Sequence, residues 1–262
     1  MNLVKAHALG NDFLLVDERE APSGGDLAAV ARVLCERHRG IGADGLLIFG
    51  GRGGTATMRL LNADGSASEI SGNGLRCLAA WLAHQGARSD IEVATDAGRK
   101  RLQLLGREGT RYTFRAAMGR PEHVTQESIV VAGEAVSAVT LRVGNPQCVV
   151  LGEVTTARLH SVASALAVHP RFPEGTNVEL ARVEPPDRVH ILIWERGVGP
   201  TEASGTGACA AAVAAIAYGG AAGAVEVISP GGSQRVEWLD DGLYLTGWAE
   251  IVGEVRWVAA VP

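Results

Sequence analysis

The four residues Ser71–Gly72–Asn73–Gly74 return 133 positions later as Ser204–Gly205–Thr206–Gly207, and these two turns decide how the rest of the chain is interpreted. Each turn precedes a run of small and apolar residues typical of a buried helix, at Leu75–Leu82 and at Ala208–Ala217. A pattern that recurs at a fixed distance is typical of a fold built from copies of one unit.

Two further matches occur at nearly the same distance. Gly10–Val16 resembles Gly144–Val150 at an offset of 134 residues, and the glycine turns at Gly98 and Gly232 have that offset as well. Any single match is weak evidence, but several in the same order at one offset indicate an internal duplication. The sequence therefore predicts two pseudo-symmetric halves.

Alternation of apolar and polar residues, together with β-branched residues, predicts strands through both halves. The predicted strands are Phe13–Val16, Leu46–Phe49, Met58–Leu61, Ile91–Thr95, Val139–Val143, Val178–Val183, Val189–Trp194 and Ala224–Ile228, with further strands starting at Arg101 and Arg235. Asp26 predicts the N-cap of a helix that ends at Gly40, and Thr156–His169 predicts its counterpart. Many strands with few helices indicate an α+β fold.

We place the seam between the halves near Met118–Pro121. The N-terminal half then comprises residues 1–117 and 251–262, and the C-terminal half comprises residues 118–250. The tail Ile251–Val258 is strand-like and follows the end of the second half. We therefore expect the tail to pair back onto the first half.

The composition of the chain argues against several classes of function. The chain has 262 residues, a formal net charge of −5 and a pI of about 5.8, with no basic tract, which argues against nucleic acid as a partner. No secretory leader or membrane span is predicted, so we expect the protein to be cytoplasmic. The four cysteines have neither CxxC spacing nor neighbouring paired histidines, and we interpret them as buried structural thiols rather than metal ligands. They are Cys35, Cys77, Cys148 and Cys209.

The two serine-glycine turns can bind an anion. The first turn of a helix presents amide groups that have no partner within the helix, together with the positive end of the helix dipole. Two such turns facing each other across the seam can hold one carboxylate, with Ser71 and Ser204 on opposite sides of the carbon that bears it. A racemase with two acid/base groups needs that arrangement. The simpler interpretation is that both serines are ordinary helix N-caps.

At these residues the chain resembles the diaminopimelate epimerases, and the resemblance covers nearly its whole length. The matching blocks in the first half are His7–Phe13, Arg37–Asp44, Asn62–Ser66 and Gly72–Cys77. Those in the second half are Gly144–Pro146, Arg171–Pro173, Thr176–Asn177, Glu195–Gly199, Gly205–Cys209 and Pro230–Gly232.

The resemblance implies two halves that are each a mainly antiparallel, β-barrel-like sheet around a central helix, with the substrate in the cleft between them. It also implies a homodimer that interconverts LL- and meso-diaminopimelate without a cofactor, neither pyridoxal phosphate nor metal. Lys5 and Lys100 are the only lysines, and neither lies in a motif for a pyridoxal Schiff base.

The family's substrate contacts carry over residue by residue. Gly72, Asn73, Gly205 and Thr206 fall where helix N-termini take the reacting carboxylate. Glu195 and Arg196 fall where the distal ammonium and carboxylate are bound. The family's polar pocket positions are Asn11, Asn62, Asn145 and Asn177 in this sequence. Taken singly, each asparagine also suits a turn and Glu195–Arg196 also suits a surface ion pair.

The sequence departs from the family at the two positions that hold the family's catalytic residues. The family has cysteine immediately before both glycine turns, and here Ser71 and Ser204 occupy these positions. The family's Asn-Pro-His is here Asn145–Pro146–Gln147, and Pro200 stands where glutamate is usual. Three explanations stay open: an engineered inactive variant, a natural serine subfamily, or a pocket used otherwise. The last includes amino-acid binding without turnover and another small-acid isomerase or dehydratase.

Overall fold

The computed structural model describes residues 1–22, 25–52, 55–68, 71–86, 90–96, 98–184 and 186–260. The strands of the first half of the chain are β1 (Asn2–Ala8), β2 (Asn11–Asp17), β3 (Gly45–Arg52), β4 (Thr55–Asn62), β5 (Ala67–Ser68), β6 (Asp90–Thr95), β7 (Gly98–Glu108) and β8 (Arg111–Gly119). Those that follow are β9 (Glu122–Val131), β10 (Glu134–Val143), β11 (Asn145–Leu151), β12 (Asn177–Glu184), β13 (Arg188–Glu195), β14 (Gly199–Thr201), β15 (Ala224–Ser229), β16 (Gly232–Leu239) and β17 (Gly242–Arg256).

The helices are fewer, and two of them are long. They are α1 (Leu27–Cys35), α2 (Gly72–His84), α3 (Thr156–Arg158), α4 (Ser164–Ala167) and α5 (Gly205–Tyr218), with a π-helical turn at Leu159–Ala163 between α3 and α4. None of the helices in the described residues is both long and apolar enough to cross a membrane.

The chain forms two compact units. One comprises Met1–Ala116 together with Gly247–Pro262, and the other comprises Ala117–Thr246. In the first unit, hydrogen-bonded neighbours run in the order β1, β2, β3, β4, β6, β7, β8 and β17, and β17 pairs with β1, so the sheet closes on itself. The pairs β2–β3 and β4–β6 are parallel, while β1–β2, β3–β4, β6–β7 and β7–β8 are antiparallel.

Helix α2 lies inside this barrel, and its first nine residues are small or apolar except for Asn73 and Arg76. Gly72 to Ala80 are all buried, and the helix contacts β1, β2, β3 and β7. The predicted mainly antiparallel sheet around a central helix is confirmed for this unit. The strands of the barrel hold α2 in position, and this fixes the location of its N-terminus and of Ser71, which precedes it.

The second unit repeats the same series of pairings. The pairs β10–β11, β12–β13 and β15–β16 are antiparallel, and β11–β12 and β13–β15 are parallel. Helix α5 is enclosed by these strands, with the stretch Gly207–Ala215 entirely buried. A helix that is apolar all round belongs in a core, and its many alanines let the strands approach closely. The duplication predicted from the sequence is thus present in the topology.

The predicted strands all lie within observed strands, and the predicted tail pairs with the first half. Ile251 and the residues that follow it pair antiparallel with β1, although the strand ends at Arg256 rather than at Val258. The predicted ends of two helices were wrong. The helix from Thr156 ends at Ala167 rather than at His169 and contains the π turn.

Helix α1 begins as predicted, with the Asp26 side chain accepting a hydrogen bond from the Ala28 amide at 3.0 Å. It ends at Cys35 rather than at Gly40. The carboxylate of the next residue, Glu36, accepts hydrogen bonds from the backbone amides of His38 and Arg39, and this local turn stops the helix early.

Candidate active site

Ser71 is the N-cap of α2. Its backbone is extended (φ −128°, ψ 123°), and its Oγ accepts a hydrogen bond from the Gly74 amide at 3.1 Å. Gly72 and Asn73 form the first turn, where amide groups lie outside the hydrogen-bonding pattern of the helix itself. The serine hydroxyl is therefore held beside the positive end of a helix dipole.

Asn73 connects this turn to the first strands. It is buried, and its side-chain amide donates to the Asn11 Oδ1 at 3.1 Å, while its own Oδ1 accepts from Arg76. The Asn11 amide in turn donates to the Asp44 carboxylate at 2.7 Å. The structure thus brings together two of the residues predicted for the site, Asn11 and Asn73.

Charged groups lie behind Asn11. Arg37 bridges the carboxylates of Asp12 at 2.9 Å and Asp44 at 2.7 Å, and Lys5 also donates to Asp12. Burial by itself raises the pKa of the Asp12 carboxyl, but the hydrogen bonds and charges of Arg37 and Lys5 outweigh it and lower the pKa to about 2. This ion-pair cluster keeps Asp12 ionised and fixes the β1–β2 end that carries Asn11.

Asn62 forms hydrogen bonds within its own turn. Its amide donates to the Ser66 Oγ at 2.9 Å, and its backbone amide donates to the Ser66 carbonyl at 2.8 Å. Within the described residues these bonds hold Asn62 to its own turn rather than to Asn11 or Asn73. The turn role that suits a single asparagine is therefore present, and the substrate role of Asn62 stays a prediction.

Ser204 repeats the geometry of Ser71 at the start of α5. Its backbone is extended (φ −138°, ψ 131°), its Oγ accepts from the Gly207 amide at 3.2 Å, and Thr206 Oγ1 lies 3.5 Å from the same oxygen. Ser204 is buried, with 6% of its surface exposed. Both serines cap helices, and both present a hydroxyl at a helix N-terminus. Ser71 lies beside Gly72, and Ser204 lies beside Gly205.

Hydrogen bonds and strand pairing connect most of the other predicted residues of the second unit near β12. Asn177, at the start of β12, accepts a hydrogen bond from the Arg196 backbone amide at 2.9 Å. The Arg196 guanidinium donates to the Glu174 carbonyl at 2.8 Å. Asn145 Oδ1 accepts from the buried Gln147 amide at 2.6 Å, and Gln147 is the strand partner of Asn177. Glu195, at the end of β13, is partly buried.

One charged residue near Ser204 was missed by the sequence analysis. Glu179, in β12, is completely buried, and neither carboxyl oxygen has a hydrogen-bond partner among the residues that the structure describes. Burial, reinforced by the negative charge of Glu195, holds the pKa of Glu179 well above its usual range. The only signal in the sequence was a carboxylate among the apolar residues Val178, Leu180 and Ala181.

The four cysteines are buried and form no disulfides, which confirms their interpretation as structural thiols. Burial raises the pKa of Cys77 to about 12, so this thiol is not available as a thiolate to replace the one expected at position 71. Within the described ranges, no cluster of three or more His, Cys, Asp or Glu side chains is arranged to hold a metal ion.

A matched pair of substitutions tests the packing beside the two serines. A Cβ on Gly207 would lie 2.6 Å from Glu179 Oε1, whereas a Cβ on Gly74 would lie 3.4 Å from its nearest neighbours, in Leu47 and Ser71. We expect Gly207→Ala to lower the free energy of unfolding by about 1–3 kcal/mol. Gly74→Ala should be neutral or stabilise by up to about 1 kcal/mol through helix propensity. Chemical denaturation measures both, and equal effects would contradict the described packing.

A family model described as diaminopimelate epimerase matches residues 3–124 and 139–252. A diaminopimelate epimerase from Desulforudis audaxviator is 41% identical over an alignment of 279 positions, which covers 99% of this chain and all of that one. One from Heliobacterium modesticaldum is 38% identical over 94% of this chain and 96% of that one. The crystal structure of a hydroxyproline epimerase from Agrobacterium vitis shares the fold, with a TM-score of 0.74, 16% identity and coverage of 97% of this chain and 90% of that one.

Proposed function

The chain belongs to the diaminopimelate epimerase family, which makes it an isomerase of the epimerase type, and we propose that it interconverts LL- and meso-diaminopimelate with Ser71 and Ser204 as the two acid/base groups. One observation carries the proposal. The two serines have the same backbone conformation, accept the same hydrogen bond from the third helical residue, and precede the two helices of a duplicated fold. Each half of the chain therefore supplies one acid/base group of the same kind.

The helix N-termini supply the binding of the reacting end. Gly72 and Asn73 in one half, and Gly205 and Thr206 in the other, offer first-turn amides to the α-carboxylate of the substrate. As the α-proton leaves, negative charge spreads from the α-carbon onto that carboxylate. Fixed amide donors and helix dipoles stabilise this charge more in the transition state than in the ground state, and that difference is what lowers the barrier.

The proton transfers need two oxygens. One serine acts as the alkoxide, and its Oγ takes the α-proton as the Cα–H bond breaks. The other acts as the alcohol, and its O–H bond breaks as its proton is delivered to the opposite face of the carbon. No pyridoxal phosphate or metal takes part in these steps. The amides of Gly74 and Gly207, at 3.1 and 3.2 Å from the serine oxygens, favour the alkoxide that results, because donors to the charged form lower its energy.

We assign the distal end of the substrate to Glu195 and Arg196, which would pair with the second ammonium and carboxylate. The exposed Arg196 side chain has five N–H donors, of which the contact with Glu174 uses one. The polar groups of Asn11, Asn62, Asn145 and Asn177 complete the proposed pocket. A pocket with charges for both ends favours a diamino dicarboxylate over a simple amino acid.

The test is exchange of the α-proton in heavy water, followed by proton NMR with LL-diaminopimelate as substrate. The native chain should wash out the α-proton and form the meso isomer, and Ser71→Ala and Ser204→Ala should each abolish inversion. Lysine, which lacks the second α-amino acid end, is the matched control substrate and should exchange far more slowly. Formation of a different product would place the chain with another small-acid isomerase or dehydratase instead.

A second function is favoured by one observation. Serine replaces a more acidic group at both positions, and Gln147 replaces an imidazole, so the pocket retains its binding groups while losing acid/base strength. A homologue that binds an amino acid without turnover would have these features. Calorimetry separates the two functions, because binding of LL-diaminopimelate without any α-proton exchange would establish the binding role.

We also propose that the chain acts as a homodimer. The family resemblance supports this assembly, and sedimentation equilibrium of the native chain measures it directly. A single species at twice the 27.3 kDa chain mass is the expected result. A species at the chain mass would refute the dimer without affecting the assignment of the serines.

A further inference from the structure

The two serine turns are alike in backbone but differ in one neighbouring side chain. In the strand pairs β2–β3 and β11–β12, Leu47 is the partner of Leu15 and Glu179 is the partner of Val149. Since Leu15 and Val149 are equivalent in the internal repeat, Leu47 and Glu179 are equivalent as well. Each lies beside the third residue of its long helix.

The distances at these helices confirm the equivalence. A Cβ on Gly74 would lie 3.4 Å from Leu47 Cδ1 and 3.4 Å from Ser71 Cβ. A Cβ on Gly207 would lie 2.6 Å from Glu179 Oε1 and 3.2 Å from Ser204 Cβ. The Glu179 carboxyl and the Ser204 side chain therefore flank the same small volume, where the first half has hydrocarbon.

We infer that Glu179 is a positioning residue that exchanges a proton with Ser204 Oγ, and that Leu47 gives Ser71 no equivalent help. The inference rests on the proposed function, because it assigns unequal strength to the two acid/base groups. It also gives a role to a carboxyl that is completely buried with no hydrogen bond from the described residues. Such burial is costly, and the leucine in the first half shows that the fold accepts an apolar side chain at this point.

When Ser204 Oγ delivers its proton to the α-carbon, the O–H bond breaks and a new Cα–H bond forms, while the protonated Glu179 carboxyl passes its own proton to Oγ. On the other face, the Ser71 alkoxide takes the proton that leaves the carbon. In the reverse step the proton on Ser204 Oγ passes to the Glu179 carboxylate as Oγ takes the α-proton. After one inversion Glu179 has lost a proton and Ser71 has gained one, and exchange with water restores both.

The titratable groups that face Glu179 are few in the described structure. Glu195, at the end of β13, contributes a negative charge that favours the protonated carboxyl. The Cys148 thiol, in β11, is also buried, and burial raises its pKa, so it stays neutral. Ser204 and Gly207 complete the surroundings on the side of α5.

A proton shared between Ser204 and Glu179 has a measurable consequence. In heavy water the carboxyl carries deuterium, so a hydrogen abstracted by Ser204 mixes with it before one of the two returns to carbon. The isomer whose α-hydrogen faces Ser204 should therefore gain deuterium without inverting. The isomer whose α-hydrogen faces Ser71 should regain its own hydrogen, because Leu47 holds none.

The experiment starts from LL-diaminopimelate and from the meso isomer separately, in heavy water. Each starting isomer is recovered by chiral chromatography before product accumulates, and its deuterium content is measured by mass spectrometry. We expect one isomer to gain deuterium at least severalfold faster than the other with the native chain. Glu179→Gln and Glu179→Leu should remove this difference. Equal gain with the native chain, or a difference that survives Glu179→Leu, overturns the inference.

A second measurement needs no turnover. Carbon-13 in the side-chain carboxyl of glutamate is followed by NMR as a function of pH, and the Glu179 signal is identified by its loss in Glu179→Gln. Ser204→Ala should shift the pH at which Glu179 titrates, whereas the matched Ser71→Ala should not. If native protein shows no exchange but Ser204→Ala shifts Glu179, the proposed function fails and the coupling stands. If Ser204→Ala leaves Glu179 unchanged, the inference is overturned.

Discussion

Replacing both site serines with cysteine, as Ser71→Cys and Ser204→Cys, should raise kcat for epimerisation by about 10³- to 10⁴-fold. A thiol has a pKa of about 8.5, and a helix N-terminus lowers it further, whereas a serine hydroxyl is several units less acidic. A gap of about four units corresponds to roughly 5 kcal/mol in the cost of forming the anion. Both positions lie at helix N-termini, so the introduced thiols would have the environment that activates them.

The control for this prediction is a cysteine that is already present. Cys77→Ser removes a buried thiol whose pKa is raised to about 12, and it should leave kcat unchanged. Alkylation by iodoacetamide should inactivate the double cysteine variant and spare the native chain, whose four cysteines are all buried. A double variant no faster than the native chain would show that acidity at these two positions does not limit the reaction.

Loss of the Arg196 side chain should lower kcat/KM for diaminopimelate by about 100-fold, since charged hydrogen bonds contribute about 1.5–3 kcal/mol each. The fold should survive Arg196→Ala. The bond to Asn177 comes from the Arg196 backbone amide, which alanine retains, and the guanidinium contacts only the Glu174 carbonyl among the bonds described. Steady-state kinetics with LL-diaminopimelate measures the effect.

Two further variants sharpen this prediction. Arg196→Lys keeps the charge but not the planar fork, so it should recover only part of the loss. Arg182→Ala removes a comparably placed arginine of the same unit, which pairs with Glu184 at 3.1 Å, and should leave kcat/KM unchanged. If Arg196→Ala behaves like Arg182→Ala, the distal end of the substrate is bound elsewhere.

Much of the fold followed from the sequence because burial in a strand alternates along the chain. Val189–Trp194 was predicted from this alternation, and β13 contains it with buried and partly buried residues in turn. The helix ends were harder. The carboxylate of Glu36 ends α1 through bonds to the two amides that follow, a contact that periodicity does not report.

The site was predictable where the chain repeats itself and not where it departs from the repeat. Ser71 and Ser204 were found because the same four-residue turn occurs twice. Glu179 was missed because a single carboxylate in a strand is normally an outward-facing residue, whereas the structure buries it completely and places it in contact with Gly207. That contact joins residues far apart in sequence, and no local pattern encodes it.

The closing strand of the first barrel has a consequence for how the chain folds during synthesis. β1 is synthesised before the second unit, whereas its partner residues in β17 are synthesised after that unit, with Asn2 paired to Arg256. The first unit therefore cannot close its barrel until β17 has been synthesised. The second unit is continuous from Ala117 to Thr246 and can fold while the part of β17 that follows Thr246 is still in the exit tunnel. The order of folding is then the reverse of the order of synthesis, and stalled chains that lack β17 should expose the edge of β1 to chaperones.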